Sequence, residues 1–424
     1  MRRIVIIASL LVAVCAVAVG VIATTRPAAR ATATALNPTR GDPAATARAA
    51  LLAGPLDRFG LALLAGEARQ SSGNVVISPL SIHAVLSLIL NGASGRTAAE
   101  MRRALALDGL TLPATDQAWA DLIASVQAGD KPAVEIADSL WLSRSVAFSP
   151  AFLAAARGFF AAGTQALPAD HTKAAAAIND WVDQRTAGLI KQIVQPDYFT
   201  DQTILTVVNT VHVKADWSVP FEAAETQPAA FTLADGTTVN VPTMSGPLSA
   251  RVARTPAYDA VALATKGSVT AWVVVPRAGQ TPESLLAGFR RSGLDSLYRS
   301  ARPAQVMLKL PRLHTAFSSA DLKPALEALG MISAFSPEQA ELRGIVAPGS
   351  TAGPVWIQRV VHKAVLDVNE TGVEAAAATA ALVAAGSAPY APLTIRADRP
   401  FLLLLTDKST SAPLFMALIR DPRG

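Results

Sequence analysis

An unbroken apolar stretch, Ile4 to Ala23, follows Met1-Arg2-Arg3, and the pattern of the chain then changes twice. Over residues 24–47, Ala, Thr, Pro and Arg alternate without any apolar period, which predicts a mobile linker. From residue 48 hydrophobic positions recur at the spacings of regular structure, and 48–424 reads as one domain. Leu56, Phe59, Leu63 and Leu64 share a helical face. Asn74-Val75-Val76-Ile77-Ser78-Pro79 is a short strand stopped by proline; Ser81 opens an apolar helix through Leu90, closed by Asn91-Gly92. Thr97-Ala98-Ala99-Glu100 has capping-box spacing for the next helix. Ile178 to Ile193 has helical period, while Ile136 to Leu142 and Thr203 to Val213 are apolar runs typical of buried strands. Later segments are mostly β: Ala271 to Val275, the alternating Val306, Leu308 and Leu310, Phe401 to Leu405, and Leu414 to Ile419, with one helix from Ala320 to Leu329. Helices first and strands afterwards, without βα alternation or repeats, predict an α+β fold.

Composition narrows the function. Hydrophobic residues make up 51% of 424, enough for a large core. The net charge of +5 is scattered, and the only adjacent basic pairs in the body are Arg102-Arg103 and Arg290-Arg291. Nucleic-acid or heparin-type polyanion binding is therefore not expected. The single cysteine, Cys15, lies in the apolar leader, so the body has no disulfide, zinc-finger or thiol chemistry. Residues 1–23 read as an export signal with Val21-Ile22-Ala23 as cleavage site, or as an uncleaved membrane anchor. Val12-Ala13-Val14-Cys15 is a poor lipoprotein box because Val14 is bulky. The expected location is extracellular or cell-surface, with membrane contact only through this segment. Ser-x-x-Lys, Gly-x-Ser-x-Gly and His-Glu-x-x-His are all absent, so an enzyme is not expected. No metal or organic cofactor is implied.

Residues 74–82 and 91–97, Ile136-Ala137-Asp138-Ser139-Leu140-Trp141-Leu142, Val208-Asn209-Thr210-Val211-His212-Val213-Lys214-Ala215-Asp216-Trp217, Leu310-Pro311-Arg312-Leu313, Val361-His362-Lys363-Ala364, Val368-Asn369-Glu370 and Asp398-Arg399-Pro400-Phe401 keep the order of one family's motifs. By these residues the chain resembles the serpins, over about residues 56–422, with Ala215 where the family usually has Gly. The resemblance implies about nine helices packed on three β-sheets, a reactive-centre loop over about 370–398, and a monomeric serine protease inhibitor. It also implies a shutter of Ser78, Ser81, Asn209 and His362, polar groups bridging strands that must part, and a breach aromatic, Trp217.

The loop Glu370-Thr371-Gly372-Val373-Glu374-Ala375-Ala376-Ala377-Ala378-Thr379 carries the chemistry. An inhibitory serpin acts as a suicide substrate: the cleaved loop inserts as a central strand while the protease is held as an acyl-enzyme. Insertion needs a bendable hinge, supplied by Gly372, and side chains small enough to pass between packed strands, supplied by Ala375, Ala376, Ala377 and Ala378. It tolerates no proline, and none occurs from Glu370 to Ala388. Val373, Ala375, Ala377 and Thr379 would face inward, and the charged Glu374 outward. Counting sixteen residues from Glu370, as in inhibitory serpins, puts the scissile bond at Gly386-Ser387. Small and apolar residues around it, with no Arg or Lys, favour an elastase-like or subtilisin-like target over a trypsin-like one. The alternative is a non-inhibitory serpin acting as a binding or storage protein.

Overall fold

The structure is a computed structural model described over residues 42–128, 134–186, 188–319, 321–373 and 393–424. Ten α-helices lie among those residues: α1 Pro43–Ala49, α2 Ala53–Gln70, α3 Pro79–Leu90, α4 Gly95–Ala104, α5 Leu112–Val126, α6 Pro150–Phe159, α7 His171–Arg185, α8 Pro282–Ser292, α9 Asp295–Ser300 and α10 Lys323–Ala328. The strands are β1 Val75–Ile77, β2 Val134–Ser143, β3 Gly163–Leu167, β4 Leu205–Val213, β5 Ala215–Asp216, β6 Gln227–Thr232, β7 Thr238–Arg254 and β8 Tyr258–Ala264. They continue with β9 Val269–Pro276, β10 Arg302–Pro311, β11 Leu313–Ser319, β12 His362–Val368, β13 Gly372–Val373, β14 Leu393–Arg396, β15 Phe401–Asp407 and β16 Pro413–Ile419.

The described strands form three sheets. The largest runs β1-β16-β15-β9-β8-β7-β10-β14 with β6 also on β7; the others are β11-β12-β13-β5 and β3-β2-β4. β7 is 17 residues long, pairing with β6 over 238–243, with β10 over 243–252 and with β8 over 251–254. Every residue of β15 and β16 is buried, so these two consecutive apolar runs form the centre of the core. α2 and α3 pack directly on β16. The α+β class and the three sheets are as the sequence predicts.

Three local readings change. Regular structure is present ahead of residue 48: Asp42 caps Pro43–Ala49, whose Arg48 pairs with Asp121 of α5, so residues 43–47 are helix rather than linker. Helical period does not continue to Ile193. α7 stops at Arg185, because the Thr186 hydroxyl bonds back to the Val182 carbonyl and accepts from Ile190 N. The Asn179 carboxamide then accepts from Ile193 N and Val194 N, organising the segment as a loop. Thr97 and Glu100 form no capping box. The first N–H groups of α4, Arg96 and Thr97, donate instead to the distant Glu341 carboxylate. Glu100 accepts from Ile332 N and Ser333 N.

Candidate functional site

The site is a gap between two strand edges. β3-β2-β4 forms one leaf and β11-β12 another, and among the described residues no ladder joins β4 to β12. The two edges face each other, since Val365 of β12 packs on the cluster that contains Val208 of β4. Just ahead of the strands, Thr203 Oγ1 donates to Gln358 Oε1 at 2.8 Å, pinning the leaves at that end. Between them lies a cavity of about 160 Å³, lined by Ser81 and Ile89 of α3, Thr206 and Val208 of β4, and Val361 and Lys363. An unpaired strand edge is a template for another strand, and here two of them line one apolar gap.

At its other end the gap is filled. β13 lies between β12 and β5, through the registers Val368↔Val373, Gly372↔Asp216 and Val373↔Ala215. Gly372 is required by crowding, because a Cβ there would sit 2.4 Å from the Ala215 carbonyl oxygen. Val373 is buried. The chain reaches this position through a tight turn in which Asn369 Oδ1 accepts from Thr371 N at 3.0 Å and Thr371 Oγ1 at 2.7 Å. Trp217, fully buried, holds the turn from the β5 side: its Nε1 donates to Asn369 O at 2.9 Å and its backbone N to Thr371 O at 2.8 Å.

Glu370 anchors the same turn. Its Oε1 accepts from Arg312 Nε at 2.7 Å and Thr226 Oγ1 at 2.5 Å, and its carbonyl oxygen accepts from Phe221 N at 2.8 Å. Burial pushes the carboxyl toward its neutral form, but the bonds from Arg312 and Thr226 outweigh it and hold the pKa below the ordinary glutamate value. Arg312 and Thr226 were not singled out in the sequence. Arg312 stands in a motif that was, but its partner lies 58 positions away.

Below the cavity, Ser78 Oγ donates to Leu414 O at 2.8 Å and accepts from Ser81 N, while Ser78 N donates to His362 Nε2 at 3.3 Å. The start of α3, the start of β12 and β16 thus meet at one serine. Burial drives the His362 pKa down to about 4, with a bond to the Val76 backbone pulling the other way, so the imidazole is neutral at pH 7. Asn209 lies in β4 opposite Asp138; its side chain is outside the described residues. Glu374, Ala375, Ala376, Ala377, Ala378, Thr379, Gly386 and Ser387 also lie outside them. Among the described residues no three His, Cys, Asp or Glu side chains gather as a metal site.

The family model described as Serpin (serine protease inhibitor) matches residues 55–422. The chain belongs to the serpin family. A serine protease inhibitor of Mus musculus is 30% identical over 365 residues, covering 82% of this chain and 84% of that protein. Serpin-ZXA of Oryza sativa subsp. japonica is 32% identical, covering 85% and 94%. Among solved structures, a cleaved Serpin 42Da is similar with a TM-score of 0.78 at 26% identity, covering 87% of this chain and 98% of that one. As a family, serpins are protease inhibitors rather than enzymes. The gap between β4 and β12 and the strand Gly372–Val373 lie within the matched residues, next to the segment that the sequence reads as the reactive-centre loop.

Proposed function

We propose that this serpin is a suicide-substrate inhibitor of an elastase-like or subtilisin-like serine protease, cleaved at Gly386-Ser387. The observation that carries the reading is β13, seated between β12 and β5 directly above a gap that no described residue fills. The strand that would follow cleavage is thus already started. Residues 373–385 are uncharged except for Glu374, contain no proline, and would span about 43 Å at ~3.3 Å per residue. That is long enough to carry a tethered protease from one end of a domain this size to the other. The acyl-enzyme would be trapped before water releases it. The chain acts outside the cell or at its surface, as a monomer, without a polyanion activator. Its N-terminal segment serves as signal or anchor.

Incubation with pancreatic elastase and subtilisin tests this. The expected result is a covalent complex that survives denaturant, with the fragment beginning at Ser387, which carries β14, β15 and β16, separating from it only in the denaturant. Cleavage without a complex would establish the non-inhibitory alternative, and a cut outside residues 384–388 would defeat the assigned bond.

A further inference from the structure

The hinge strand rests on a second layer that the loop sequence does not reveal. Its β5 side is held by the turn between β8 and β9, residues 265–268. Ser218 N donates to Ala264 O and Lys266 N to Asp216 O, both at 2.9 Å, and Trp217 makes a β-bridge to Thr265. That turn is in turn held by one residue beyond β15. Lys408 donates its backbone N–H to Ser268 O at 2.7 Å, and its Nζ to Thr265 O at 2.5 Å and Gly267 O at 2.6 Å. Three carbonyl oxygens of a four-residue turn therefore converge on Lys408. Among the described residues no carboxylate pairs with it. Thr265 Oγ1 adds a bond to Val269 O at 2.6 Å, closing the turn from within.

We propose that Lys408 is a positioning residue for the hinge: by clamping the turn at 265–268 it fixes Ala215-Asp216-Trp217, and through them keeps Gly372–Val373 seated in the main sheet. The contacts run without a gap from Lys408 Nζ to the turn carbonyls, from the turn to Asp216 and Trp217, and from these to Thr371, Gly372 and Val373. An ammonium group bonds to several carbonyls as readily as to one carboxylate, and here it offers three donors to a turn whose own carbonyls point one way. Burial lowers the Lys408 pKa, as expected of a cation solvated by dipoles rather than by an opposite charge. For the reaction, which rests on the inhibitory reading above, a seated hinge spares the loop the slowest part of insertion, forming the first paired residues. Insertion then competes better with hydrolysis of the acyl-enzyme.

Hydrogen exchange on the intact, uncleaved protein tests the clamp without any protease. Lys408→Met keeps the stem and removes the donors. The expected result is about tenfold faster amide exchange in 215–218 and 369–373, with Lys408→Arg close to the unmodified chain because a guanidinium can also reach two carbonyls. Leu297→Ala, a fully buried position in α9, supplies a control of comparable destabilisation that leaves the hinge protected. Unchanged hinge exchange in Lys408→Met, or an equal increase in Leu297→Ala, would overturn the proposal. If Lys408→Met does not fold, Lys408→Gln, which retains one donor group, is read by the same criteria. With a protease that is trapped, Lys408→Met should consume severalfold more inhibitor per complex while the rate of loop cleavage stays the same. If no protease is trapped, the inhibitory reading fails and the exchange result still decides the clamp.

Discussion

His362 and Asp57 are both buried, and their protons respond to pH in opposite senses. His362 titrates near 4 in the folded chain against an ordinary 6.5, because burial disfavours the imidazolium. The unfolded chain therefore takes up the proton first. Its contribution to stability is complete above pH 6.5 and is lost as pH falls toward 4. His83, also driven to about 4 by burial, acts the same way. Asp57 of α2 is pushed up to about 7 by burial, against a bond from the Leu294 backbone, so the folded chain holds a proton that the unfolded chain releases above 3.8. Its contribution is complete below pH 3.8 and is lost as pH rises to 7. Glu67 and Asp116, raised by burial, act with Asp57. Each such group changes stability by about 1.4 kcal/mol per pH unit between its two pKa values. Relative to the unmodified chain, His362→Gln should gain stability at about that rate as pH falls from 6.5 to 4.5, and Asp57→Asn should lose it over the same window. Urea unfolding midpoints at four pH values give the slopes, and three parallel curves would contradict both assignments.

At the scale of single elements, β13 concentrates the demands of the mechanism on two residues. Val373 is 2% exposed and paired on both sides, so an arginine there would bring a charge into the sheet with no partner. Isolated buried charges cost several kcal/mol, more than a two-residue strand gains. Val373→Arg should leave the hinge outside, so that a protease that the parent traps cleaves the variant like a substrate, with complex yield down about tenfold or more. A gel of protease mixed with each protein decides it; undiminished complex would mean that insertion does not proceed through this position. The small side chains, the glycine and the missing proline of this segment were legible in the sequence as local facts, but the loop was expected to stay outside the sheet until cleavage, and the pairing of Gly372 and Val373 in the intact chain was not legible. About half of the described strands and helices were legible as well, those that announce themselves by period. The exceptions have a common cause. The end of α7 is set by the side chains of Thr186 and Asn179 competing for backbone groups, and the start of α4 by Glu341 arriving from far along the chain. Neither leaves a periodic trace. Arg312 with Glu370, Trp217 with Asn369, and Lys408 with the turn at 265–268 are likewise products of tertiary approach, invisible until the strands are placed.

Taken whole, the molecule is built around a sheet in two pieces, and the native arrangement leaves stabilisation unused. Among the described residues β4 and β12 each present an edge whose ladder groups could pair with a strand laid between them, and a cavity of about 160 Å³ lies between those edges. A packed interior resists such gaps, because atoms lining a void lose contacts on one side. In the proposed mechanism cleavage would free the loop, and insertion from Val373 onward would pair both edges and fill the gap together. The cut chain should therefore be more stable than the intact one, the reverse of what nicking does to an ordinary loop. If insertion adds on the order of 10 kcal/mol, the melting temperature should rise by more than about 10 °C in a domain of this size. Circular dichroism melts of the chain before and after limited cleavage in the loop with thermolysin, a zinc protease that forms no acyl-enzyme and so cannot be trapped, measure this directly. An unchanged or lowered melting temperature would mean that the gap between β4 and β12 stays open after cleavage, and the two leaves would then be a resting feature of the fold rather than the receiver of its loop.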